Sequence, residues 1–380
     1  MKLAIAISVY DKFDDVKLIV DIVRNNWEGQ FFICVTSTHP DAKQALKDVP
    51  VDRVNVIDKI PFSPSFEAKK KRMHLFLRVL DSIQTGCRTC LESGATHTIH
   101  IHADAFPFSF EKIEPLLRYM DKNGKAFAYR GSGLGFYCHD APLGDMDDMF
   151  FIVNNQRAKE TRLWEFDLFD FLPHKLSIHG ILPVLTLSRL GIRELLHYAS
   201  GENNYHWDGQ PASAPPMNSA HPMYYDSRYA FLHIHQEAFP EDWGKKILAY
   251  YLSLNHIKNG ERVRSFVEKY QTTKNDLVHQ LSLIERQLKR FYAVRGLARW
   301  LNFYHRRNFS KQMEMIRQYN AMNPVQKMRW VLRTHARQFK LVFPDSTNFH
   351  PDIIWPRSVN QVYQQLTSTE INFDVVKEEL

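Results

Sequence analysis

Two histidines and an aspartate alternate with apolar residues in the stretch THTIHIHADAFPF, residues 96–108. Side chains two positions apart lie on one face of a β-strand, so His100, His102 and Asp104 are predicted to point the same way. A carboxylate at a strand end suits a hard divalent cation, and an imidazole beside it shifts the preference from Mg²⁺ toward Mn²⁺. His102 and Asp104 are therefore candidate metal ligands, whereas His100 lies deeper in the strand and is predicted to be structural.

The elements that must position these residues alternate along the first half of the chain. Strand-like runs such as KLAIAISVY, FFICVTST and HTIHIHAD are separated by helix-like segments, including an amphipathic one from about residue 65 to residue 93. This alternation predicts an α/β fold with a mostly parallel, doubly wound sheet and helices on both faces. Ligands bind at the carboxyl ends of the strands in such sheets. The predicted strand ends carry Tyr10, Asp11, Thr36 and Asp104.

Basic and aromatic residues interleave in the C-terminal region, residues 241–380, where the pattern is helical. The segment 258–340 carries 19 Lys and Arg against 5 Asp and Glu, and because the whole chain is at +7, the rest is net acidic. Three interpretations stay open for residues 286–340: a helical layer on the acidic body, peripheral contact with an anionic membrane, or nucleic-acid binding. Nucleic acid is the least supported of the three, because no recognised motif accompanies the charge.

Targeting signals are not evident in the sequence. No apolar run approaches the roughly 18 to 20 residues that cross a bilayer. The N-terminal residues lack the charged, apolar and small-residue regions of a signal peptide. These features predict a cytoplasmic location, with peripheral contact to the inner face of a membrane under the second interpretation above. The oligomeric state is not predicted.

The order of SVYDKF, VTST, a long helix containing KKKRMHLF, and IHIHADAF resembles the nucleotide-binding half of GT-A-fold glycosyltransferases. In that superfamily the strand after this helix ends in an Asp-x-Asp motif, which holds a metal ion on the diphosphate of a nucleotide sugar. The matching tripeptide here is His-Ala-Asp at residues 102–104, so a histidine replaces the first aspartate. The resemblance covers residues 1–240 and implies a nucleotide-binding half over 1–130 and an acceptor half over 131–240.

Nucleotide-binding residues follow from the same resemblance. The loop after the first strand, containing Val9, Tyr10 and Asp11, matches the segment that contacts the base and ribose. Thr36 lies at the end of the second strand. Arg72 matches a helix position that often reaches the nucleotide, although a solvated helix face explains the KKKR run equally well.

A third metal ligand is also implied by the resemblance. Many members supply a histidine near the C-terminal end of the domain as a ligand of the metal or the diphosphate. The second His-x-His pattern, His233 to His235, fits that place. Because His235 lies nearer the strand end, the predicted ligand set is His102, Asp104 and His235.

The general base is less determined by the sequence. An inverting transferase needs a base to deprotonate the acceptor hydroxyl. Family members often carry an acid at the start of the helix after the acceptor-side strand, but the matching segment LSIHGILPVL has His179 and no acid. Asp148 and Glu165 are nearby acids, so Asp148, His179 and Glu165 stay equal candidates. A retaining mechanism would need none of them.

Together these features predict a metal-dependent glycosyltransferase. It would use Mn²⁺ or Mg²⁺ to neutralise the leaving diphosphate as a hexosyl or related group moves from a nucleotide sugar to a carbohydrate or lipid-linked glycan acceptor. Such a reaction belongs to polysaccharide or glycan biosynthesis. Two alternatives stay open. One is a metal-dependent hydrolase using the two His-x-His motifs, although amidohydrolase-like barrels carry that motif on the first strand. The other is a non-catalytic binding module.

Overall fold

The computed structural model of the protein describes a large part of the chain. The described residues are 2–58, 71–131, 146–168, 178–199, 206–207, 210–211, 223–226, 229–239, 241–293 and 323–326. Most of the basic segment 286–340 and four residues of the glycine-rich run GSGLG at 131–135 lie outside them. The predicted membrane contact and the division of the chain at residue 240 therefore stay predictions. No helix among the described residues is long and apolar enough to cross a membrane.

One seven-stranded sheet forms the centre of the described structure. Its strands are β1 (Leu3–Val9), β2 (Phe31–Ser37), β3 (Arg53–Val56), β4 (His97–His102), β6 (Phe127–Gly131), β7 (Met146–Asn154) and β8 (Leu195–Ala199). Their spatial order is β3-β2-β1-β4-β7-β6-β8. β7 runs antiparallel to both of its neighbours, and the other four strand pairs are parallel.

A second, smaller sheet lies beside the end of β4. Its strands are β5 (Ala105–Pro107), β11 (Met223–Asp226) and β12 (Phe231–Ile234), paired antiparallel in the order β11-β12-β5. Two-residue strands β9 (His206–Trp207) and β10 (Gln210–Pro211) form a separate ribbon. Because β5 follows β4 after only two residues, the chain passes directly from the large sheet into the small one.

Helices cover both faces of the large sheet. The helices among the described residues are α1 (Phe13–Asn26), α2 (Ala42–Ala45), α3 (Lys71–Glu92), α4 (Phe110–Lys122), α5 (Asn155–Glu160), α6 (Ile178–Leu190), α7 (Trp243–Leu254), α8 (Glu261–Tyr270) and α9 (Lys274–Ala293). Helices α1, α4 and α7 share one apolar core with the small sheet, while α3 and α6 pack in a second core on the opposite face. The predicted fold class, a mainly parallel α/β sheet with helices on both faces, is confirmed.

Burial on both faces explains the residue types found in β4. Ile99 and Ile101 on one face and Thr98 and His100 on the other are all fully buried. The ring of His100 stacks on Phe151 of β7 with centroids 4.5 Å apart. A central strand with both faces covered needs apolar or well-packed side chains on each side, and here the imidazole of His100 serves as one of them.

Candidate metal centre and adjoining cleft

Asp104 is fixed by the junction between the two sheets. β4 ends at His102, and Asp104 lies in the turn before β5. The backbone carbonyl of Asp104 accepts a hydrogen bond of 3.0 Å from the amide of Ile234. In the β5–β12 register, His233 pairs with Ala105. The pairing of β12 with β5 therefore places His233 and His235, which come from a distant part of the chain, beside Asp104.

Two imidazoles flank the Asp104 carboxylate. Nδ1 of His235 lies 3.2 Å from Oδ2 of Asp104, and Nε2 of His233 lies 3.8 Å from Oδ1. One ligand atom from each of the three residues lies within 4.8 Å of the others. Asp104 and His233 are buried, whereas His235 is partly exposed. One oxygen and two nitrogen donors, gathered this closely, fit a divalent transition-metal ion such as Mn²⁺.

An ammonium group also reaches the cluster. Nζ of Lys12, the residue before α1, lies 3.1 Å from Oδ2 of Asp104. The same atom lies 3.1 Å and 3.2 Å from the two carboxylate oxygens of Glu237, in the 3₁₀ turn Gln236–Ala238. Lys12 therefore bridges two acids, one buried and one exposed.

Electrostatics keep this cluster charged. Burial by itself would raise the pKa of Asp104, but the hydrogen bond with His235 and the charges of His233 and Lys12 hold that pKa well below its ordinary value. Burial would likewise lower the pKa of Lys12, but Asp104 and Glu237 outweigh it and raise that pKa above the ordinary value. At neutral pH the site thus presents an ionised carboxylate, which is the form that binds metal ions.

A cleft opens next to Asp104 at the carboxyl ends of β1 and β4. It has a volume of about 340 Å³ and is lined by Ser8, Val9, Tyr10, Asp11, Lys12, Thr38, Arg78, Val79, Ser82, His102, Ala103 and Asp104. The predicted nucleotide-binding residues Val9, Tyr10 and Asp11 are all in this lining. The ring of Tyr10 is half exposed and packs edge-on against His39 at a centroid distance of 5.5 Å.

Two other predicted nucleotide-binding residues are placed differently. Thr36 is fully buried, and its hydroxyl accepts a hydrogen bond of 3.4 Å from Asn55, so Thr38 is the residue from this segment that lines the cleft. Arg72 belongs to α3, but its side chain lies outside the described ones. Arg78 of the same helix lines the cleft. Burial lowers the pKa of Arg78, against an opposing effect of Tyr10.

His102 faces a different partner from Asp104. Its Nε2 lies 3.7 Å from Oδ2 of Asp148, a buried carboxylate on the neighbouring strand β7. The cluster around Asp104 accordingly contains His233 where the sequence predicts His102. The physical reason is that β4 ends at His102, so Asp104 lies in a turn and no longer shares the strand's face.

The three candidate bases differ in their surroundings. Asp148 is next to the cleft through His102. Glu165 is exposed and pairs with Arg162 at 3.7 Å, and it is not among the residues that line the cleft. His179 belongs to α6, and its side chain lies outside the described ones. Of the two candidates whose side chains the structure describes, Asp148 lies beside the cleft and Glu165 does not line it.

Sequence reasoning did not single out His233, Lys12 or Arg78. The signal for His233 was present, because it is the first histidine of the second His-x-His motif. Lys12 directly follows the predicted nucleotide-binding loop. Arg78 lies in the helix that supplied Arg72, about 1.7 turns further on. For Lys12 and Arg78 the signal was only their closeness in sequence to residues already predicted.

Comparisons with known proteins return glycosyltransferase structures at low similarity. No protein-family model and no curated protein matches the chain. Glucosyl-3-phosphoglycerate synthase from Mycobacterium tuberculosis, with Mg²⁺ and uridine diphosphate, is 10% identical, covers 52% of this chain and 69% of its own, and has a TM-score of 0.31. Mouse xyloside xylosyltransferase 1 is 11% identical, covers 55% and 87%, and has a TM-score of 0.32. Similarity at this level leaves the function to be argued from the site.

Proposed function

We propose that the protein is a metal-dependent glycosyltransferase that takes a nucleotide sugar as donor and a carbohydrate or lipid-linked glycan as acceptor. The observation that supports this proposal most is that a cleft and a candidate metal centre meet at Asp104. A cleft of about 340 Å³ lies at the carboxyl ends of β1 and β4, and a carboxylate with two imidazoles lies at its edge. This is the place where an open α/β sheet binds ligands.

The residues around the cleft have complementary tasks in such a reaction. Asp104, His233 and His235 would hold a divalent ion, which when bound supplies positive charge to the departing diphosphate. Lys12 and Arg78 add two cationic groups to the cleft wall, where they would bind phosphate oxygens. Tyr10 offers a half-exposed aromatic ring at the cleft, suited to stacking on a nucleobase.

Asp148 is the proposed general base if the reaction inverts configuration. Its carboxylate is buried, lies beside His102, and belongs to the strand next to the one that leads to Asp104. It would accept the proton of the acceptor hydroxyl as that oxygen attacks the anomeric carbon. His102, which lines the cleft, would then orient the Asp148 carboxylate beside it.

Nucleotide binding tests this function directly. We expect a nucleoside diphosphate from a panel to raise the melting temperature in the presence of Mn²⁺ but much less in its absence. The variant Asp104→Asn should lose the Mn²⁺-dependent part while keeping the fold, measured by calorimetry and circular dichroism. Asp242→Asn, an exposed acid paired with Lys245, is the matched control.

Two outcomes would count against the proposal. If Asp104→Asn bound nucleotide and Mn²⁺ as the wild type does, Asp104 would not belong to the site. If no nucleoside diphosphate stabilised the protein, and elemental analysis found zinc, the metal-dependent hydrolase would replace the transferase. Only a protein that responds to a nucleotide together with a metal ion supports the proposed reaction.

A further inference from the structure

One oxygen of Asp104 is contacted by two groups at once. Oδ2 lies 3.1 Å from the ammonium of Lys12 and 3.2 Å from Nδ1 of His235, while Oδ1 faces His233 at 3.8 Å. The ammonium therefore lies directly at the edge of the three-residue cluster. A metal ion held by Asp104, His233 and His235 would need the negative charge of the same carboxylate.

Lys12 and a divalent ion cannot share Oδ2 without strong repulsion. Both are positive charges, and this part of the site is largely removed from water, since Asp104 is buried and only 30% of the Lys12 side chain is exposed. The chain offers the ammonium another anion, because Nζ already contacts both carboxylate oxygens of Glu237. Lys12 can thus leave Asp104 and stay paired.

We propose that Lys12 is a built-in competitor of the metal ion: its ammonium neutralises Asp104 until a divalent ion binds, and it then pairs with Glu237 alone. This inference rests on the metal centre of the proposed function. A free metal ion binds weakly, because it must displace an ammonium. A diphosphate in the cleft supplies new anionic partners for Lys12, so nucleotide and metal each strengthen the binding of the other by the same factor.

Metal binding without nucleotide provides the test. Mn²⁺ is titrated into the full-length protein and followed by electron paramagnetic resonance of the free ion. Lys12→Met keeps the aliphatic stem and removes the charge, so we expect it to bind Mn²⁺ about ten-fold more tightly than the wild type. Lys17→Met, in the helix that follows Lys12 and paired with Asp14, is the control and should leave the affinity unchanged.

A double-mutant cycle examines the role of Glu237. Glu237→Gln removes the second partner of Lys12, which should hold the ammonium on Asp104 and weaken Mn²⁺ binding. The same change in the Lys12→Met background should have a clearly smaller effect, because no ammonium is left to relocate. Equal effects in both backgrounds would mean that Glu237 attracts the metal directly, and the relocation would be refuted.

The outcomes separate this inference from the proposed function. Unchanged or weaker Mn²⁺ binding by Lys12→Met, with folding verified by circular dichroism, would overturn the competition. Absence of Mn²⁺ binding in every variant would overturn it as well, together with the metal centre. Tighter Mn²⁺ binding by Lys12→Met would support it even if no nucleoside diphosphate bound, in which case only the transferase assignment would fail.

Discussion

Asp15 makes the stability of the protein depend on pH near neutrality. It lies in the first turn of α1, and its Oδ1 accepts a hydrogen bond of 2.7 Å from the Gln236 amide. Burial raises the pKa of Asp15 to about 7 from its ordinary 3.8, because it outweighs the opposing effects of the Lys12 charge and the Gln236 hydrogen bond. The negative charges of Asp104 and Glu237 add smaller raising effects. The folded state therefore binds a proton that the unfolded state has lost.

The size of the effect follows from the pKa shift of Asp15. Between about pH 3.8 and pH 7 the folded protein holds one more proton than the unfolded chain at this residue. The free energy of unfolding then falls by about 1.4 kcal/mol per pH unit as the pH rises. The stability contribution is complete below pH 3.8 and is lost by about pH 7. Over the window the loss amounts to at most about 4 kcal/mol.

Asp15→Asn removes this titration and keeps an oxygen that can accept from Gln236. We expect its free energy of unfolding to exceed that of the wild type by about 2 to 4 kcal/mol at pH 8. At pH 4 the two proteins should be nearly equal. Urea denaturation at unit pH intervals from 4 to 8 measures the difference between them.

Asp14→Asn serves as the comparison for this experiment. Asp14 is the preceding residue, its side chain is 95% exposed, and it pairs with Lys17. The stability difference between Asp14→Asn and the wild type should stay flat over the same pH range. Should the Asp15→Asn difference be flat too, or fall with rising pH, the explanation of a partly buried, protonated Asp15 would be refuted.

Two further predictions concern packing around the site. In Gly244→Ala the new Cβ would overlap the backbone of Gln236, so we expect the protein to lose about 1–3 kcal/mol of stability. Because His235 precedes Gln236, we also expect its side chain to shift and Mn²⁺ to bind more weakly. Thermal melts with and without Mn²⁺ measure both effects. His100 is buried, and burial followed by the charge of His102 holds its pKa well below the ordinary value, so stability should fall below about pH 6.5 as the unfolded state takes up the proton. His100→Phe should therefore resist acid denaturation better than the wild type.

For each of these two predictions a specific result would contradict the expectation. Ser253→Ala, at the other end of α7, is the control for the glycine, and equal melting temperatures for Gly244→Ala and the wild type would show that the contact with Gln236 yields easily. Coinciding acid-denaturation curves for His100→Phe and the wild type would mean that His100 is protonated in the folded protein.

Local sequence patterns predicted the large sheet well. The strand that contains His100 and the loop of Val9 to Asp11 are where the alternation of strands and helices places them. A parallel strand that is buried on both faces has a nearly continuous run of apolar residues, which is visible in the sequence. The carboxyl ends of these strands then indicate where the cleft lies. This part of the structure could therefore be predicted without knowing which distant segments are in contact.

The proposed set of metal ligands depends on the pairing of distant strands, which the local sequence pattern does not show. Period-two alternation puts His102 and Asp104 on one face only as long as the strand continues. The strand ends at His102 because β5 leaves to pair with β12, and that pairing brings His233 to Asp104. Strand register between distant segments is set by tertiary packing, so the placement of His233 and Lys12 beside Asp104 could not be derived from residue spacing.

The pairing of β5 with β12 also bears on how the protein folds. β5 forms directly after β4, but its partner comes from the second half of the chain, so a long loop must close before the pair can form. The proposed metal ligands therefore come together only when this closure has occurred. A metal ion that binds the assembled ligands would stabilise this late step. Slowed hydrogen exchange at the Ile234 amide, which bonds to the carbonyl of Asp104, would report that closure.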